Sequence, residues 1–206
     1  MLNDISTPLS LLQTRRSGRP RDMVEPGPDE DQITQMIEIA ARTPDHGKLF
    51  PWRFVVVPKA KRDDFATLLR QAFDAGAATD DARKLEAVER TAYQAPALIV
   101  VLSAPIAGHK IPLWEQELSA GAACMNLLHA AHAMGFVGGW ISGWPAYSEV
   151  VRNAFGGSHE RIAGLMFFGS PAFPLEERPR AAATMVSTVW GGLPDGQFLR
   201  EATDAT

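Results

Sequence analysis

Cysteine is almost missing: Cys124 is the one cysteine among 206 residues, so an intrachain disulfide and a cysteine-built metal centre are both excluded. No apolar stretch reaches membrane-spanning length. The longest candidate is interrupted by Glu115, Glu117, Asn126, His129 and His132, which excludes the bilayer as its surroundings. Met1-Leu2-Asn3-Asp4 lacks the basic start and apolar run of a secretory signal, so the expected compartment is the cytoplasm. A net charge of −4 and a pI near 5.7 leave no excess of lysine and arginine, and nucleic acid is not expected as the main partner. Neither G-x-G-x-x-G nor G-x-x-x-x-G-K-S/T is present, so a Rossmann site and a P-loop are not indicated. No G-x-S-x-G elbow occurs. His129 and His132 have no accompanying H-E-x-x-H, and Glu115 and Glu117 point to different faces of one helix. No catalytic triad, metal cage or acid–base dyad can be assembled.

What is present reads as one globular domain over residues 1–206, since 46% of residues are apolar and 21% charged, as in ordinary folded proteins. The chain is organised around Trp114 to Met134, a proline-free run of small and apolar residues with Gly121 as its one interior glycine. At helical rise it is a rod about 30 Å long. A helix apolar on most of its circumference is buried, in a core or at a subunit interface. Gly135 ends it, and Phe136 to Ser142 follows as a short strand in which Gly138 and Gly139 allow close backbone approach.

Elsewhere helices alternate with strands. Thr7-Pro8 opens a short helix. Asp29 with Gln32 forms a capping box for a helix whose apolar face is Ile33, Met36, Ile37, Ala40 and Ala41. Strands are expected at Trp52–Val57, Ala97–Leu102 and Ile162–Phe168, the second as a continuous apolar run covered on both faces. Further helices are expected at Lys61–Ala75, Leu85–Tyr93 and from Ser148 to Phe155. Residues 74–84 read as a mobile surface segment, and Pro105–Pro112 as a linker or a pocket edge. Met185–Trp190 reads as a last strand that would pair across a subunit. The sum is an α+β or α/β layered domain.

Two loops hold the remaining polar chemistry. Arg15, Arg16 and Ser17, followed by Gly18-Arg19-Pro20-Arg21, read either as a solvated turn or as an anion site, because arginine forks match phosphate oxygens. The loop Asp45-His46-Gly47-Lys48-Leu49-Phe50-Pro51-Trp52 is of the kind that carries function; His46 either caps the preceding helix or contacts a ligand. Arginines, a serine, a histidine loop and a Gly-Gly-Trp turn suit a phosphate-bearing cofactor that brings its own chemistry.

Taken in order, Arg15-Arg16-Ser17, Arg42-Thr43-Pro44-Asp45-His46 to Pro51-Trp52, Trp114-Glu115-Gln116-Glu117-Leu118-Ser119-Ala120-Gly121 and Gly138-Gly139-Trp140 resemble the nitroreductase family of FMN-dependent oxidoreductases, especially its small single-domain bacterial members. The resemblance runs from about Leu9 to Pro171. It implies an α+β, three-layer α/β/α fold with a central mixed, mainly antiparallel sheet. It also implies a homodimer with the long helix at the interface and FMN bound between subunits. By this resemblance Arg15, Arg16 and Ser17 hold the phosphate and the polar edge of the flavin. Arg42 and His46 come from the other subunit, and Trp140, Ile141 and Ser142 line the far side. Ala130, Ala131, His132, Ala133, Met134 and Gly135 would contact nicotinamide. The implied reaction is hydride transfer from NADH or NADPH through FMN to a small oxidant such as a nitroaromatic or quinone. Arg16 would stabilise the reduced flavin. The family also includes flavin-fragmenting, dehalogenating and dehydrogenating enzymes, and a flavin- or ligand-binding sensor without turnover is the reading from another class. One departure stands out: the family pattern places arginine after the tryptophan, where this chain has Ile141. A backbone contact to phosphate survives that change and a guanidinium contact does not; Arg178 and Arg180 are the candidates to replace it.

Overall fold

A computed structural model describes residues 1–76 and 82–191. The chain divides into two units, Met1–Leu175 and Glu176–Thr206.

In the first unit the elements are α1 (Pro8–Thr14), β1 (Met23–Val24), α2 (Glu30–Ala40), β2 (Trp52–Val56), α3 (Arg62–Gly76), α4 (Ala82–Arg90), β3 (Ala97–Ser103), α5 (Leu113–Ala133), β4 (Val137–Ile141), α6 (Gly143–Tyr147), α7 (Glu149–Phe155) and β5 (Arg161–Pro171). The expected capping box at Asp29 forms: its side chain accepts from the Gln32 amide, and the Gln32 side chain accepts from the Asp29 amide. Both free amides at the start of α2 are thereby satisfied. Of the surface segment expected at 74–84, residues 74–76 and 82–84 belong to the ends of α3 and α4; its centre, 77–81, lies outside the described residues.

The five strands form one sheet in the order β1-β5-β3-β2, with β4 also on β5, and every described pairing is antiparallel. Its two faces are separately covered. Leu98, Val100, Leu102, Leu165 and Phe167 pack with Phe65 and Leu69 of α3 and Val151 of α7. Ala97, Ile99, Val101, Met166 and Phe168 pack with Met36 and Ala40 of α2 and Cys124, Leu127 and Leu128 of α5. Alternate residues of β3 therefore enter different cores, which is why that strand is apolar throughout. A three-layer α/β/α unit results. Cys124 is buried in it, and burial pushes its thiol up to about 12, leaving an inert apolar group.

β4 lies close on α5 because Gly138 has no side chain: a Cβ there would stand 2.5 Å from Leu128 Cδ2 and 3.0 Å from Phe168 Cε1.

The second unit begins with an irregular stretch from Glu176 and contains α8 (Ala183–Val186). The strand expected at Met185–Trp190 is not formed. Met185 and Val186 sit in the single turn of α8, closed by the Met185 amide on the Ala182 carbonyl at 2.9 Å. Ser187 Oγ donates to the Ala183 carbonyl at 2.6 Å. With no strand beside it in sequence, local backbone bonding prevails there. No helix among the described residues is long and apolar enough to cross a membrane.

Candidate functional site

The Arg15-Arg16-Ser17 loop leaves α1 and is fixed at both ends. Asn3 holds it from outside: its amide donates to the Arg16 carbonyl at 3.1 Å, and its Oδ1 accepts from the Arg16 amide at 2.7 Å. The Gly18 amide donates to the Gly138 carbonyl at 3.1 Å, joining the loop to β4. A Cβ on Gly139 would stand 2.9 Å from the Gly18 carbonyl oxygen, so the approach needs glycine. Within the loop Arg15 Nη1 donates to Ser17 Oγ at 3.1 Å and Arg16 Nη1 to the Ser17 carbonyl at 3.0 Å. Two guanidinium groups and a hydroxyl are thus gathered beside the Gly-Gly-Trp strand. Asn3 was not singled out from sequence; only its contacts reveal it.

Trp140, Ile141 and Ser142 emerge exposed at the end of β4. Trp140 Nε1 donates to the Ala163 carbonyl at 2.9 Å. Its ring lies over Gly164, where a Cβ would stand 2.4 Å from the indole nitrogen. Arg178 and Arg180 belong to the second unit, where Arg180 Nη2 donates to Glu177 at 3.0 Å.

His132 is wholly buried, and its Nε2 accepts from the Gly138 amide at 3.2 Å. Burial chiefly, with Arg15 and His129 adding positive charge, pushes its imidazole down to about 4. A neutral ring is what the bond requires, since a protonated Nε2 cannot accept. The histidine closes the turn between α5 and β4. Ala130 and Ala131 are buried beside it. All three of these residues from the expected nicotinamide stretch are enclosed by the core. Ala133 and Gly135 are exposed and Met134 half-buried at the helix end.

The second loop is held along one face of α5. Glu115, Ser119 and Asn126 recur at helical spacing that keeps them on a single stripe. Asn126 donates to Thr43 Oγ1 at 2.7 Å. Ser119 Oγ donates to the Pro44 carbonyl at 2.8 Å and accepts from Trp52 Nε1 at 3.2 Å. Glu115 Oε2 stands 2.7 Å from His46 Nδ1. Of the two alternatives for His46, the helix cap is not formed; its ring turns to α5. Arg42 and His46 are both exposed. Inside the loop the Phe50 amide donates to Asp45 Oδ2 at 2.7 Å. Lys48 and Phe50 have φ of +55° and +49°, a left-handed conformation that side chains rarely adopt and that clusters at working sites. The 105–112 segment is likewise pinned, by Gln116: the Ile106 amide donates to its Oε1 at 2.8 Å and its Nε2 donates to the Ile111 carbonyl at 3.0 Å. Ser119, Asn126 and Gln116 were missed as anchors, although polar residues on an otherwise apolar helix were the available signal.

Fold and loops together define an α+β protein with an arginine-rich loop beside a glycine-built strand and a second polar loop on its longest helix. The chain belongs to the nitroreductase family, whose pattern matches residues 12–170. It is 38% identical over 164 residues, 79% of this chain and 87% of the relative, to YdjA of Escherichia coli strain K12, which is named provisionally as an NAD(P)H nitroreductase. In fold it resembles a nitroreductase-like family protein from Bacillus cereus, with a TM-score of 0.79 at 19% identity over 91% of this chain and 97% of that one. It also resembles a nitroreductase with bound FMN from Bacteroides fragilis, with a TM-score of 0.62 at 19% identity over 88% and 98%.

Proposed function

We propose that the protein is an FMN-dependent oxidoreductase that takes hydride from NADH or NADPH and reduces a small oxidant such as a nitroaromatic or quinone. It would act as a homodimer with two flavin sites, each drawing on both chains. The observation that carries this reading is the placement of the two loops. His46 is tied to Glu115 at the start of α5, whereas the Arg15–Ser17 loop is tied to Gly138, beside His132 at its end. Sixteen helical residues lie between Glu115 and His132, which places them about 25 Å apart along the axis. With anchors at opposite ends of α5, the two loops would meet over one flavin where two chains cross along that helix. In agreement, Trp114 and Leu118, one turn apart on the outer face of α5, are 61% and 63% exposed, an apolar surface of the kind that partners cover.

The donors fit FMN: two arginines and a serine suit a phosphate and the carbonyl edge of a flavin, and Trp140 offers an aromatic wall. Bound FMN would supply the hydride chemistry. Arg15 and Ser17 would anchor the phosphate, while Arg16 places positive charge where reduction builds negative charge. Arg42 and His46 of the second copy would complete the grip, and Ile141 and Ser142 would meet the cofactor through their backbone. No side chain needs to move a proton in the hydride step.

The test is an absorption spectrum of the purified protein, repeated after anaerobic NADPH. Flavin bands that bleach support the reading. Bands that persist under both NADPH and NADH would turn it to flavin binding without turnover, and a protein that takes up no FMN would overturn it. Arg16→Ala is expected to weaken FMN binding and slow flavin reduction; unchanged values for both would remove its assigned role.

A further inference from the structure

We propose that Glu115 is the positioning residue for His46, selecting the imidazole tautomer that meets the cofactor. The inference rests on the flavin-site reading above and goes beyond it, because Glu115 touches no part of that site except through His46. The geometry is direct: Glu115 Oε2 lies 2.7 Å from His46 Nδ1. An ionised carboxylate only accepts hydrogen bonds, so Nδ1 carries the proton in that pair. Nε2 is then the ring atom left for a ligand. No other partner of the His46 ring is described, and its side chain is 66% exposed against 30% for Glu115. The outer edge of the ring therefore faces away from its own chain.

The surroundings support orientation rather than a casual surface pair. Glu115 sits in the first turn of a 21-residue helix whose next two polar anchors on the same stripe, Ser119 and Asn126, hold the same loop. The loop backbone is set by the Asp45 carboxylate on the Phe50 amide, by the left-handed Gly47, Lys48 and Phe50, and by Gly47 lying against Ile111. A loop fixed at three points on a rigid helix, with the fourth tie on its histidine, has the arrangement that orients a ligand-contacting imidazole elsewhere in proteins.

The experiment has two parts. Long-range proton–nitrogen NMR of the flavin-free protein, at a pH where the ring is neutral, is expected to show His46 as the Nδ1–H tautomer. It should relax toward a mixture in Glu115→Leu. FMN dissociation constants are then measured by flavin fluorescence for wild type, Glu115→Leu, His46→Gln and the double variant. Glu115→Leu is expected to weaken FMN binding about tenfold, the worth of one well-made hydrogen bond. Glu115→Gln, whose carbonyl can still accept from Nδ1, should restore most of it. In the His46→Gln background the Glu115→Leu change should have no further effect, because the two act as one unit. An Nε2–H tautomer in wild type, or equal losses from Glu115→Leu in both backgrounds, overturns the inference while leaving the flavin reading intact. Failure of wild type to take up FMN overturns both.

Discussion

At the C-terminal end of α5 a single histidine, His132, is sealed in the core and spends its one described bond on the Gly138 amide. At the N-terminal end Glu115 and His46 meet in the open, with 30% and 66% of their side chains exposed. Both pairs hold a loop against the same helix. In the dry interior an unmade hydrogen bond is expensive, so His132 acts mainly on stability. At the surface, water replaces a lost partner readily, so Glu115 contributes little to stability and its effect is reserved for whatever covers the ring. One helix thus carries a buried histidine contact at one end and an exposed histidine–carboxylate contact at the other.

Breaking the buried side should give the largest effect. His132→Ala removes the acceptor for the Gly138 amide and opens a cavity, and a loss of about 3 kcal/mol is expected in urea unfolding. A loss below about 1 kcal/mol would show that the histidine is not structural.

The same residue gives a pH signature of similar size. His132 is depressed from an ordinary 6.5 to about 4. Above 6.5 it is neutral in both folded and unfolded chains. Between 6.5 and 4 the unfolded chain binds a proton that the folded one refuses, so stability falls as pH drops through this window and levels off below it. At about 1.4 kcal/mol per pH unit the full contribution is about 3 kcal/mol. His132→Leu should flatten that part of the pH–stability curve; an unchanged slope would assign it to other groups.

Smaller again is Ser119→Ala, which strips one partner each from the Pro44 carbonyl and Trp52 Nε1. A loss of about 1–2 kcal/mol is expected, together with faster amide exchange at residues 44–52. Exchange confined to that loop would show that the stripe on α5 holds it.

At the small end, Glu115→Leu should leave the urea midpoint of the flavin-free protein nearly unchanged while weakening FMN binding. A large stability loss would erase the contrast between the two ends of the helix.

Much of this architecture is legible in the residues alone. The capping box at Asp29, the proline-bounded start of β2, the doubly buried β3 and the length of α5 all follow from local chemistry and periodicity, which short-range sterics and hydrophobic patterning impose. The closeness of the Gly-Gly-Trp strand to its neighbours was also readable from its two glycines. The tail was not: an apolar stretch becomes a strand only if a partner edge is available, and Met185–Val186 took a helical turn instead. Which residues at the end of α5 face the core was equally hidden, because a helix apolar on most of its circumference does not declare which face is inside. His46 is the clearest case. Its sequence neighbours left a cap and a ligand contact equally open, and only folding brought Glu115, sixty-nine residues away, within hydrogen-bond reach. Local sequence determined most of the helices and strands of the first unit, because those depend chiefly on neighbours along the chain. Tertiary structure alone decided which polar groups meet, because a hydrogen bond between distant residues exists only once the packing that joins them has formed.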